Sequence, residues 1–248
     1  MKRSLLLFIS LLGAWFLQAQ TDSTALVTDS VYTPTTSQEV TPDEPQRFLQ
    51  LSLNLDYGKL IGQLPQFDEK YEAGASLLFF NQLLLTGEYG YGALTPESAL
   101  INGSYSSEGT YFRLGGGYLR QISAQSKLGL SVLYASGQFS DRSTVITTSP
   151  SGVQPDFVET YQCNCGQQTA RWYELVLNSE SRLILSKENP ESKINELFGL
   201  GFYLRARFLT SYDRYALSPV DVYAIPGYGR TVNKPNLALN LFLKIYLL

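Results

Sequence analysis

The segment FLQLSLNLD, Phe48 to Asp56, places leucine at 49, 51, 53 and 55 and a polar residue at 50, 52, 54 and 56. Successive strand side chains point to opposite faces, so a period of two specifies a strand with one apolar and one polar face. The pattern recurs seven more times. Near 70–80, Tyr71, Ala73, Ala75, Leu77 and Phe79 alternate with Glu72, Gly74 and Ser76; after a tight Asn81-Gln82 turn, Leu83, Leu85, Gly87, Tyr89 and Tyr91 alternate with Thr86, Glu88 and Gly90. Near 109–121, Phe112, Leu114, Gly116 and Tyr118 oppose Tyr111, Arg113, Gly115 and Gly117, and near 127–138 Leu128, Leu130, Val132 and Tyr134 oppose Gly129, Ser131, Ala135 and Gly137. The sixth, near 168–185, is the least regular, with Tyr173, Leu175 and Leu177 against Trp172, Glu174, Val176 and Asn178. In ELFGLGFYLRARFL, Phe198 to Phe208 alternate with Gly199, Gly201, Tyr203, Arg205 and Arg207; near 235–248, Leu237 to Leu247 alternate with Ala238, Asn240 and Lys244.

Which face turns inward depends on what the polar set contains. The water-facing side of a soluble sandwich would carry many Lys and Glu, whereas this set is largely Gly, Ser, Asn, Gln and Thr. Its few charges are of both signs: Asp56, Glu72, Glu88 and Glu174 against Arg113, Arg205, Arg207 and Lys244. That composition suits a narrow, packed lumen cross-linked by ion pairs, because eight strands leave an interior that side chains fill. The leucines are then expected to face lipid. The predicted fold is an all-β, eight-stranded antiparallel up-and-down transmembrane β-barrel.

The spacing of the segments points the same way. Connections after the second, fourth and sixth are short, about 2, 5 and 9 residues, and long ones fall near 92–108, 139–168 and 209–234. Short turns on one rim and long loops on the other characterise outer-membrane barrels. With the amino terminus in the periplasm, the long loops and the shorter 61–69 connection face outside. Tyr57, Tyr71, Tyr89, Tyr91, Tyr118, Tyr134 and Phe208 fall toward strand ends, as interfacial aromatics do, although tyrosine also suits strands generally. Trp172 is expected in such a girdle or in the lumen.

The first residues supply an address. MKRSLLLFISLLGAWFLQAQ has basic Lys2 and Arg3, an apolar run from Leu5 to Leu17 and small Ala19, which reads as a secretory signal peptide over 1–19. The 13-residue run is short of the ~20 residues a spanning helix needs. Residues 20–46 hold Asp22, Asp29, Glu39, Asp43 and Glu44, no Lys or Arg, and Pro34, Pro42 and Pro45. Such a segment buries too little apolar surface to offset its ordering entropy, and is expected to be a disordered acidic linker. The remaining 47–248 form the barrel domain. Removing Lys2, Arg3 and those five acids from the totals leaves 17 basic and 17 acidic residues. This neutral body gives no support for nucleic-acid binding.

From about 50 to 235, the pieces DYGKLI, LLLTGEYGY, GTYFRLGGGY, ARWYELVL and IPGYGRT resemble a family of small outer-membrane barrel proteins of Bacteroidetes. The CNCG stretch within 139–168 departs from that pattern. The resemblance implies an outer-membrane barrel and brings no established reaction, so it assigns no catalytic residue.

The side-chain inventory limits chemistry. The chain has no histidine, which removes Ser-His and Asp-His catalysis and the commonest metal ligand together. A Ser-Lys dyad at Lys244 lacks an identifiable serine. Glu88 and Glu174 suit glycoside hydrolysis only in an open cleft, and ion pairing is the stronger expectation. Cys163 and Cys165 leave a zinc site unfinished, so oxidation, within the chain or between chains, is expected ahead of metal binding. No cofactor is implied. In the last loop, Pro226-Gly227 fits a type II turn, with Tyr212, Arg214, Tyr215, Tyr223, Tyr228 and Arg230 clustered around it. That cluster either recognises a cell-surface protein or glycan or packs over the barrel mouth, and packing is favoured. Outer-membrane lipid is the expected partner, with a monomer favoured. The alternatives to a structural or surface-interaction role are an outer-membrane enzyme acting on lipid or glycan, and a soluble periplasmic barrel whose leucines line a lipid cavity.

Overall fold

The computed structural model describes residues 48–57, 68–96, 99–123, 125–147, 157–162, 167–186, 194–214 and 220–247. The expected signal peptide and linker, most of the 61–69 connection, Cys163, Cys165 and Tyr215 lie outside the described residues.

All eight expected strands form. They are β1 (Leu49–Asp56), β2 (Asp68–Phe79), β3 (Leu83–Leu94), β4 (Gly103–Gln121), β5 (Ser126–Thr147), β7 (Gln168–Arg182), β8 (Phe198–Tyr212) and β11 (Asn236–Tyr246). Each pairs antiparallel with its neighbours in the order β4-β3-β2-β1-β11-β8-β7-β5, and β4 pairs with β5 to close the ring. The closing seam of first and last strands runs from Ser52↔Tyr246 to Asp56↔Phe242. The sheet is therefore an eight-stranded antiparallel barrel.

Side-chain orientation follows the alternation throughout. Leu53, Leu85, Leu114, Leu130, Val132, Leu175, Leu204 and Leu239 are exposed on the outer wall, while Ser52, Asn54, Ser76, Thr86, Ser131, Asn178 and Asn240 are buried inside. The lumen is filled in layers. Leu78, Leu84 and Leu119 close one end, and Leu133, Val176, Tyr203 and Phe242 form an apolar layer further in. Tyr203 and Phe242 stack there with centroids 4.1 Å apart.

The two rims differ as the spacing predicts, with three adjustments. The β2–β3 hairpin turns at Phe80 and Asn81, one residue earlier than expected; both have positive φ (51° and 58°), and Gln82 N–H donates to Phe79 O at 2.9 Å. Positive φ at both central residues is the type I′ geometry that matches strand twist. The β7–β8 connection is longer than expected, because the ladder ends at Arg182 and resumes at Phe198 after a single helical turn, Ile194–Leu197. The long connections are also less loop-like than they read. β4 and β5 continue past the barrel as far as Gly103↔Val145, and β6 (Phe157–Gln162) pairs with 142–147 of β5. The β5–β6 pairing reaches Arg142↔Gln162 and the β5–β7 pairing reaches Phe139↔Gln168, so CNCG, outside the described residues, lies in sequence between β6 and β7. The last long loop contains a miniature hairpin, β9 (Ala224–Ile225) and β10 (Gly229–Arg230).

Candidate functional site

Six charged side chains meet in the lumen. Glu72 (β2), Glu88 (β3), Arg113 (β4), Glu174 (β7), and Arg205 and Arg207 (β8) come from five strands but fall on the inward face of each. Glu88 lies directly across from Arg113, and Glu174 from Arg207. Arg113 reaches Glu174 through Nε at 2.7 Å and uses Nη1 for Glu88 at 3.0 Å and Glu72 at 2.8 Å. Arg205 joins the same carboxylates from the other side, with Nη1 2.8 Å from Glu174 and Nη2 2.6 Å from Glu88. Arg207 Nε lies 3.3 Å from Glu174 Oε1. Three carboxylates face three guanidinium groups, so the cluster is formally neutral. It is also buried at its centre: Arg113 and Glu174 are 1% exposed and Arg205 is 0% exposed.

Neutral donors complete the network. Trp172 Nε1–H donates to Glu174 Oε1 at 2.7 Å, and the Tyr111 hydroxyl donates to Glu72 Oε2 at 2.6 Å. The Arg113 guanidinium also stacks over Tyr111, 4.6 Å from the ring centroid. Both oxygens of Glu88 and of Glu174 accept from arginine. The two carboxylates considered for glycoside hydrolysis are thus held in a packed ionic layer. Among the described residues no group of three or more acidic or cysteine side chains is arranged to hold a metal ion.

Two residues expected in this network sit elsewhere. Asp56 accepts from Asn240 Nδ2 at 2.5 Å, near the long-loop rim. Lys244 pairs with Glu180 toward the opposite end of the lumen. Glu180 lies on the same inward face of β7, two residues beyond Asn178, where continuing the alternation reaches it. Trp172 is a lumen residue, not part of a girdle: it is fully buried against Tyr111 and Tyr228.

The last loop folds down onto the network. Val222, Ile225 and Tyr228 are buried in one cluster with Tyr111, Ala135, Phe139, Ala170 and Trp172. Gly227 has φ +81° and Tyr228 N–H donates to Ile225 O at 3.1 Å, as a type II turn at Pro226-Gly227 requires. The turn descends far enough for Arg113 Nη2 to donate to Gly227 O and Arg207 Nη1 to Tyr228 O, both at 3.0 Å. Room for this comes from glycine: a Cβ on Gly90 or Gly227 would stand within 2.4 or 2.5 Å of the Tyr111 ring. Thr231 Oγ1 donates to Val222 O at 2.6 Å and closes the hairpin's neck. Above it, Asp141 accepts from Gln168 at 3.0 Å and Tyr105 at 3.3 Å. Burial raises its pKa against the opposing pull of those hydrogen bonds.

The expected aromatic and basic cluster therefore divides. Tyr228 is inside the mouth, and Tyr223 packs edge-on against Tyr105. Arg230 lies over the Tyr223 ring, 5.6 Å from its centroid. Tyr212 packs against the edge of the buried cluster and turns its hydroxyl to Arg214 and Asp221, Arg214 Nη2 lying 3.3 Å from the Asp221 carboxylate. Replacing 220–232 by a short Gly-Ser linker removes the acceptors of Arg113 Nη2 and Arg207 Nη1. Each buried donor left unmatched costs about 1–3 kcal/mol, so a lower urea midpoint in detergent is expected; an unchanged midpoint would show that the hairpin merely rests on the rim.

A scan against protein-family models and a search of curated proteins each returned no match to this chain.

Proposed function

We propose that this protein is a small outer-membrane β-barrel of the Bacteroidetes type, exported through a cleaved signal peptide, with a structural or surface-interaction role carried by its long-loop rim. The observation that carries this reading is inverted polarity. The outer wall of the ring is apolar at every strand, while the interior holds buried arginines and glutamates. In a bilayer every strand must pair on both sides, and a closed ring satisfies that requirement where an open sheet does not. Tyr134, flanked by Phe112 and Tyr173 in edge-to-face contacts at 6.5 and 5.6 Å, adds an aromatic patch to the apolar outer wall.

A filled ionic lumen capped by the hairpin supports no wide diffusion path. Among the described residues the rim presents the Tyr212–Arg214–Asp221 group, Arg230 and the strand extension of β4 and β5, with which β6 pairs. Planar cationic and aromatic groups of this kind suit contacts with a surface protein or glycan. The test is fractionation of cells expressing the full chain. The protein is expected in the detergent-extracted membrane fraction, migrating faster on gels when unheated than when boiled; recovery in the soluble fraction without detergent would overturn the reading.

A further inference from the structure

The Tyr105 hydroxyl joins the sheet extension to the hairpin that caps the lumen. Tyr105 stands on β4 beyond the last residue that β3 pairs, opposite Ser143 of β5, and is 1% exposed. Its oxygen accepts from Tyr223 N–H at 3.2 Å. Its one proton lies between two acceptors, Asp141 Oδ2 at 3.3 Å and Ala224 O at 3.4 Å. A phenol donates once. Whichever acceptor takes that proton, the other goes without it.

The two acceptors belong to different parts of the fold. Asp141 is on β5, and Gln168 Nε2 from β7 donates to its other oxygen at 3.0 Å. Ala224 is on the hairpin. Thr231 N–H donates to Tyr223 O at 3.0 Å, so the next pair along, Ala224↔Arg230, is a non-hydrogen-bonded one whose carbonyls turn away from each other. The Ala224 carbonyl is thereby aimed at β4, and the residue is 4% exposed. Charge decides the competition. A carboxylate is a stronger acceptor than a peptide carbonyl, so ionised Asp141 takes the Tyr105 proton. Protonated Asp141 has an O–H of its own to give to the Tyr105 oxygen, and the phenol proton then goes to Ala224 O.

We propose that Asp141 and Tyr105 form a proton-operated latch that grips the 220–232 hairpin more firmly when Asp141 is protonated. The groups around Asp141 are Tyr105 from β4, Gln168 from β7 and Asp221 from the last loop, with Arg230 further out over the Tyr223 ring. Burial raises the Asp141 pKa against the hydrogen bonds from Gln168 and Tyr105, and Asp221 adds like charge. A carboxyl whose pKa is raised by folding stabilises the fold below the ordinary carboxylate range. That contribution is lost as pH rises through the raised value, the same direction as the latch. The latch consists of hydrogen bonds within the chain and does not depend on the membrane reading.

The test is hydrogen exchange of the protein in detergent between pH 4 and pH 7, read at the hairpin amides as protection relative to an unstructured peptide. Protection is expected to be about fivefold higher at pH 4, the effect of one neutral hydrogen bond. In Asp141→Asn, Gln168 keeps Oδ1 and the amide N–H faces Tyr105, so high protection at both pH values is expected. Tyr105→Phe is expected to give low protection at both. Asp221→Asn is expected to keep the pH dependence. Equal protection of the parent at both pH values, or a pH dependence that survives Tyr105→Phe, would overturn the latch. Loss of the dependence in Asp221→Asn would also overturn it, since repulsion between the two aspartates would then be the cause.

Discussion

Glu174→Ala is expected to destabilise the barrel by about 3–5 kcal/mol, the cost of breaking a buried ion pair by removing one partner. The carboxylate contacts Arg113, Arg205 and Arg207 and also accepts from Trp172. Alanine would leave three guanidinium groups facing two carboxylates in a layer buried from bulk solvent. The measurement is the urea midpoint and slope in detergent, with the exposed Glu69→Ala as a control expected to change little. Replacing Arg205 by lysine would also be costly, because an ammonium cannot reproduce the forked contacts to Glu88 and Glu174. A Glu174→Ala loss below about 1 kcal/mol, the range of exposed pairs, would mean that solvent reaches this layer.

Val132→Arg is the second substitution with a large expected effect, and the size of that effect separates a membrane wall from a wet one. Val132 is 56% exposed on the outer wall of β5, between Leu130 and Tyr134. At the middle of a lipid-facing wall, arginine costs about 2–4 kcal/mol. On a water-facing surface the same change would fall within about 0.5 kcal/mol. Refolding into phospholipid vesicles, followed by gel mobility without heating, reads the difference. A Val132→Arg protein as stable as its parent in vesicles would contradict lipid contact there.

Much of this architecture was legible because a barrel strand carries its instructions locally. The period of two in Leu49 to Leu55, or in Phe198 to Phe208, assigns each side chain to a face without knowledge of its neighbours, and closure then follows from pairing every strand twice. The charges were legible for the same reason: Glu72, Glu88, Arg113, Glu174, Arg205 and Arg207 share the inward face. Their height in the lumen was not. That depends on register between strands, which the alternation leaves open by steps of two. Register places Asp56 beside Asn240 near one rim and Lys244 beside Glu180 toward the other.

The inward-folded hairpin was the least legible part. Composition marks 209–234 as a loop, yet Val222, Ile225 and Tyr228 are too apolar for one that stays in water, and they complete the core above the ionic layer. The turn chemistry of Pro226-Gly227 was readable; the partners of its carbonyls, Arg113 and Arg207, lie 114 and 21 residues away along the chain. The extended β4–β5–β6 sheet is not legible in the sequence, because Ser- and Thr-rich segments such as 140–147 read as loop when no clear apolar face marks them. What holds them as strand is pairing.

The most direct test of the central claim is the accessibility of the outer wall to reagents of opposite solubility. In a Cys163→Ser, Cys165→Ser background, nitroxide labels would be placed singly through Leu114→Cys, Val132→Cys, Leu204→Cys and Leu239→Cys, and the protein reconstituted in vesicles. Relaxation by dissolved oxygen is expected to exceed relaxation by a water-soluble nickel chelate at all four positions. Nickel-dominated relaxation at these sites would place the leucine face in water and contradict the assignment of the outer wall to lipid.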